Sequence, residues 1–441
     1  MLPSHPPYLP PPPPPRPRRS GLALKLTLGV LVVVALCCGL VDAAVFVAGP
    51  GTRTATFVDG DQGIAALLAR RATAVVKHDE AGFLADVDRA ESKFVTQQRT
   101  EFQNLVALGL ASFTLSLTRA HDYKVTDETL TRRYGSGLRQ VGVTVRYAVQ
   151  GVDQEPGAEP WIPTFAQVDG EWRLVAEEGA GAASTYPFAV GGQPWEARPV
   201  VVRRTAHVVA VVSKEDQDIA PRLTDLAERG MVRAMKARPT GWPGKVLMTA
   251  VSDQKVFESY FAGSHDKLAQ VEAVTVPRYT GVPEWDDAAR FALSRVVFNP
   301  ETLGRGDEEL LHTLTHEFTH VAFGPVTSSN TPVWLIEGMA EYVAYASESV
   351  ADTFPARAAR RFTGSDLPTD RSFYDSADNY LMGWLACRLI AQKYGPAKLI
   401  ALYDWFKDNS GTDRAFPAVL GVSFATFTSA WQGYLKELRG T

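Results

Sequence analysis

The sequence predicts an α+β protein: a membrane-spanning helix at the amino end, an α+β roll, and then a mixed α/β domain whose carboxyl-terminal half is helical. Three observations carry this. An apolar run from about Leu22 to Ala48 matches the roughly 20 residues that cross a bilayer. Residues 57–178 read as helices first and alternating strands afterwards. Beyond residue 200 a few apolar strand-like runs give way to helical periodicity that persists to the end.

Residues 1–20, with the run Pro10 to Pro15, cannot bury a core and read as a disordered, polyproline II-like tail. Arg16, Arg18 and Arg19 precede the apolar span at 21–49, and only Arg53 lies close after it. That bias predicts a single-pass protein of the cell membrane, with a cytoplasmic tail and an extracytoplasmic remainder. Cleavage as a signal peptide after Val41-Asp42-Ala43 is the competing reading, against which the apolar stretch continues through Val45, Phe46 and Val47.

Within 57–178, helices are expected at Gly63 to Lys77, Glu80 to Val87 and Lys93 to Leu108. Strands follow at Ala111 to Ala120, Gly137 to Val152 and Ile162 to Glu177, the last folded back at Asp169-Gly170. A Gly- and Pro-containing connection occupies 179–199, and 200–441 forms the last domain. There Val200 to Val212 reads as one buried strand, Ile219 to Met235 as a helix and Lys245 to Val251 as a strand. Helices are expected near Ala397 to Lys407 and from Phe424 to Leu438, the latter capped by Ser423.

Cys37 and Cys38 fall inside the apolar span and Cys387 stands alone, so no disulfide framework supports the later domains. The formal net charge of −4 carries no electrostatic footprint for nucleic acid.

The chemistry is concentrated at His316-Glu317-Phe318-Thr319-His320. Residues i and i+4 share a helix face, so both imidazoles reach one metal ion while Glu317 angles toward its open side. The host is helical by pattern: Leu310, Leu311, Leu314, Phe318, Val321 and Ala322 recur at helical spacing, with Asp307 as N-cap. A catalytic zinc needs a third protein ligand and one open position. His312 shares the face of His316 and reads as a structural or rim residue, since a fourth ligand would close the site.

Just after Pro332, Trp334-Leu335-Ile336-Glu337-Gly338-Met339-Ala340-Glu341-Tyr342 begins a second apolar-periodic helix. With the HExxH, it resembles the WLxEGxAxY element of gluzincin zinc metallopeptidases, the peptidase MA-like group, with distant similarity to the aminopeptidase N and thermolysin families. The resemblance implies Glu337 as third zinc ligand and one Zn²⁺ per chain, with Glu341 hydrogen-bonded to the first histidine from outside the ligand shell. Metzincins are excluded, because Phe323 and Val326 stand where that group has Gly and His. Tyr380-Leu381-Met382-Gly383 resembles the YxxG start of the helix whose Tyr hydrogen-bonds the oxyanion in aminopeptidase N relatives, with Tyr374 as nearest substitute. In zincins an edge strand pairs with the substrate backbone, and Ser294 to Phe298 is the expected segment. The layout of 57–178 is similar to the nuclear-transport-factor-2-like, cystatin-like fold; it reads equally as a binding module or a passive spacer.

Together these elements imply hydrolysis of a peptide or protein substrate, with Glu317 as general base and Tyr380 as oxyanion donor. No counterpart of the segment that grips a substrate amino terminus in aminopeptidases precedes His316, so endopeptidase and exopeptidase action both stand. The reading from another class is a noncatalytic, zinc-stabilised cell-surface binding protein, against which the intact Glu317 argues.

Overall fold

The computed structural model describes residues 60–177, 192–196, 198–260, 271–349 and 366–439. Among them no helix is long and apolar enough to cross a membrane. This corrects the expected architecture: the membrane-spanning helix, assigned to 21–49 outside the described residues, finds no support. The membrane contact and the single-pass, extracytoplasmic placement that rested on it fall too. The rest of the architecture is α+β, with a mixed sheet and a helical carboxyl-terminal half.

Three helices, α1 (Asp61–Val76), α2 (Glu80–Ala85) and α3 (Ser92–Leu108), open the described chain. Then come β1 (Leu110–Tyr123), α4 (Glu128–Tyr134), β2 (Leu138–Val149), β3 (Gly157–Trp161), β4 (Pro163–Val168) and β5 (Glu171–Glu177). Asp169 and Gly170 both take positive φ, of 53° and 82°, which gives the β4–β5 hairpin its reversal. The expected strand at Val200 to Val212 is instead a hairpin of β6 (Val200–Arg204) and β7 (Val208–Ser213), because Thr205 turns the chain by donating its N–H to the Val208 carbonyl. Next are α5 (Ala220–Ala237), β8 (Val246–Ala250), α6 (Gln254–Glu258), β9 (Ala273–Tyr279) and β10 (Phe291–Phe298). The helical half holds α7 (Asp307–Phe323), α8 (Val333–Ala344), α9 (Asp378–Tyr394), α10 (Pro396–Trp405), α11 (Thr412–Leu420) and α12 (Phe424–Arg439). Ser423 Oγ accepts from the Thr426 N–H at 3.0 Å, capping α12.

One ten-stranded sheet runs through both halves in the order β5-β4-β2-β3-β9-β10-β8-β7-β6, with β1 paired to β2. β7, β8 and β10 are parallel neighbours, whereas β9 is antiparallel to β10. β10 is therefore an interior strand, which corrects its assignment as the edge; β9 lies between it and β3, to which it is joined at Tyr279 and Ala158.

Both faces of β7 and β8 are covered. Val208, Ala210 and Val212 face the core built on α5, α7, α8 and α9, while Val209, Val211 and Leu247 face the core that holds Ile64, Leu67, Phe102 and Leu105. A strand buried on both sides reads as a continuous apolar run rather than an alternating one. Part of the expected connection is also packed: Trp195 lies edge-on to Tyr147, centroids 4.8 Å apart, and Asn104 donates to the Trp195 and Arg198 carbonyls.

Candidate metal centre

α7 is buried from Leu310 onward except at His312, lying beneath β9 and β10 and against α5 and α8. Its N-cap is Gly306, not Asp307; Asp307 instead joins Glu308 and Glu309 as acids in the first turn, where the helix dipole favours them. α8 begins directly after Pro332, its first N–H taken by Asp370 at 2.9 Å.

On these two helices three donor atoms converge. His316 Nε2 and His320 Nε2 stand 3.0 Å apart, and Glu337 Oε2 lies 3.3 Å from the first and 3.5 Å from the second. Ligand atoms held tetrahedrally at zinc–ligand distances near 2.0–2.1 Å are about 3.3–3.4 Å apart. Glu337 Oε2 is buried without a hydrogen-bond donor, which leaves its demand for positive charge to the centre of this triangle. The residues thus fit a zinc ion.

His316 Nδ1 donates to Glu341 Oε1 at 3.0 Å, so its Nε2 lone pair points into the triangle. The other oxygen of Glu341 lies 3.1 Å from His312 Nε2, and the His312 ring packs on Tyr345 at 4.2 Å. Among the described residues the groups able to hold a metal are His316, His320 and Glu337, and His312, His316 and Glu341. They share His316.

Electrostatics follow the same pattern. Burial disfavours charge on His316, but the carboxylates of Glu337 and Glu341 outweigh it and hold its pKa well above the usual histidine value. Burial alone would raise both of these acids; His320 and His316 pull Glu337 below the ordinary carboxylate range, and His312 and His316 do so for Glu341. For Glu317 burial wins, and its pKa is raised despite the two histidines and Thr275. Thr275 Oγ1, on β9, donates to Glu317 Oε2 at 2.6 Å and also lies 3.0 Å from the Glu317 carbonyl.

Tyr380 sits in the first turn of α9, its ring 6.3 Å from that of His316 and 5.0 Å from that of Phe373. Tyr374, whose ring is 6.4 Å from that of Tyr380, donates its hydroxyl to Glu337 Oε1 at 3.2 Å. Sequence reasoning missed Thr275, the second contact of Glu341 with His312, and the direct touch of Tyr374 on Glu337. All three depend on distant segments meeting, and no local pattern announces them.

Residues 249–437 match the Peptidase MA superfamily, a group of zincin-like peptidases. That stretch holds every residue of the triangle, and the match supports a peptidase in general. No curated protein and no solved structure matches the chain.

Proposed function

We propose that the chain is a zinc-dependent peptidase, with His316, His320 and Glu337 as metal ligands and Glu317 as general base. The observation that carries this is the triangle of His316 Nε2, His320 Nε2 and Glu337 Oε2, with the Glu317 carboxylate one residue from the first ligand. Zinc bound there supplies Lewis acidity, which polarises a peptide carbonyl and lowers the pKa of a bound water to about 7.

The chain's own residues do the rest. Glu341 fixes the His316 tautomer and is itself braced by His312. Thr275 occupies Glu317 Oε2, which leaves Oε1 to take a proton from the attacking water and pass it to the departing amine nitrogen. Tyr380 or Tyr374 would donate to the oxyanion.

The test couples metal content to turnover. The full chain should bind one zinc and cleave members of a broad peptide library, and Glu317→Gln should keep the zinc and lose hydrolysis. Parent-like cleavage by that variant would overturn the general-base assignment. Zinc binding without any cleavage by the parent would favour the zinc-stabilised binding protein.

A further inference from the structure

The metal-holding pattern on α7 and α8 occurs twice, one helical turn apart. His312, His316 and His320 follow one another at four-residue spacing on one face of α7, and Glu337 and Glu341 do the same on α8. Taken as neighbours they form two groups of the same composition, His316 and His320 with Glu337, and His312 and His316 with Glu341. The outer group is the inner one moved by a turn, about 6 Å along the helix.

The contact that completes the outer group is itself informative. His312 Nε2 and Glu341 Oε2 face each other at 3.1 Å, yet neither atom has a hydrogen-bond partner, and Glu341 is only 2% exposed. Two ligands on one zinc stand at a similar separation, about 3.3 Å. The two groups differ in depth. The side chains of Glu337, His320 and His316 are 0%, 4% and 5% exposed, whereas that of His312 is 16% exposed. One turn before it, Glu308 lies exposed. The series Glu308, His312, His316, His320 therefore leads along one face of α7 from the surface to the inner triangle.

We propose that His312, His316 and Glu341 form a transit site, which holds zinc on its way into and out of the inner triangle. Because His316 belongs to both groups, they are alternative positions for one ion, and the content stays at one zinc per chain. In the outer position His316 gives the lone pair of Nδ1, and its neutral ring carries the proton on Nε2. In the inner position Nε2 is the ligand and the proton is back on Nδ1, where Glu341 accepts it. No proton is gained or lost between the two. The proposal rests on the metal-ligand assignment above.

A transit site speeds entry and exit alike and leaves the equilibrium unchanged, so the experiment reads rates. His312→Gln removes the imidazole lone pair but keeps an amide able to hydrogen-bond Glu341. With the full chain, zinc uptake would be followed by stopped flow against a fluorescent zinc indicator, release by mixing with excess chelator, and affinity by chelator competition. Both rates should fall by about tenfold or more while Kd changes by less than about threefold. Unchanged rates would overturn the proposal, and so would faster release with weaker binding, which is what loss of a brace alone produces. Should the Gln variant not fold, His312→Asn gives the same comparison. A parent chain that binds no zinc would overturn the ligand assignment as well, whereas a parent that binds zinc at rates the variant shares would overturn the transit site alone.

Discussion

Gly338 and Gly383 meet backbone to backbone where α8 crosses α9: a Cβ on Gly338 would fall 2.3 Å from the Gly383 carbonyl oxygen, and one on Gly383 would fall 2.7 Å from that of Trp334. The glycine after Glu337 and the glycine three residues after Tyr380 are thus two halves of one contact. It draws the first turn of α9, with Tyr380, close to the helix that carries Glu337. Gly338→Ala and Gly383→Ala should each destabilise the fold by about 1–3 kcal/mol, the usual cost of overpacking, despite the better helix propensity of alanine. Chemical denaturation would measure this, and zinc affinity should fall with it. Unchanged stability in both variants would mean that the helices part without strain.

Glu341 serves two histidines, one oxygen on each, which makes it an outer brace rather than a ligand in this reading. Removing such a partner typically weakens metal binding about 10- to 100-fold, whereas removing a ligand abolishes the site. Glu341→Gln should therefore bind zinc more weakly in chelator competition yet still reach one per chain, and Glu337→Gln should not. The reverse ranking would exchange their roles.

What the sequence made legible was local. Two histidines on adjacent turns, a helix start after Pro332 and the Asp169-Gly170 reversal each declare themselves within a few residues. What it hid was set by sheet order. Ser294 to Phe298 alternates like an edge strand but lies between β8 and β9, and β9, broken in pattern by Pro277, gave no strand signal of its own. The parity that aims Thr275 at Glu317 exists only once β9 is paired. In the same way Val200 to Val212 looked like one strand because both β6 and β7 are rich in valine, and only the turn at Thr205 separates them.

The two tyrosines beside the centre should separate by phenotype. Tyr374 touches Glu337, so Tyr374→Phe frees a ligand oxygen and should weaken zinc binding about tenfold or more. Tyr380→Phe keeps its ring packed against Phe373 and should leave zinc unchanged, but as the oxyanion donor it should lower turnover by about 10²- to 10³-fold with little change in KM. Normal turnover in Tyr380→Phe, with a 10²-fold or greater loss in zinc-saturated Tyr374→Phe, would move the oxyanion role to Tyr374.

Far from the metal, the amino-terminal core buries more acid than base. Arg71 lies 3.4 Å from Glu101 and 3.8 Å from Glu177, and Gln98 donates to both acids. Glu196, partly exposed as a residue, lines the same small cavity, accepting from the Gln193 N–H at 3.1 Å. Burial raises the pKa of Glu101 despite Arg71, raises that of Glu177 further with Glu101 beside it, and pushes Glu196 up to about 8. Acids whose folded pKa exceeds the unfolded value of about 4.3 stabilise the fold fully below that value, and the contribution is lost as pH rises through the folded pKa. The acid cluster is isolated by comparing the parent with Glu196→Gln, neutral throughout, since both share every other titrating group: the variant should gain melting temperature relative to the parent near pH 8.5 and lose that advantage near pH 5.5. An offset between the two that is the same at both pH values would show that Glu196 is ionised in the fold.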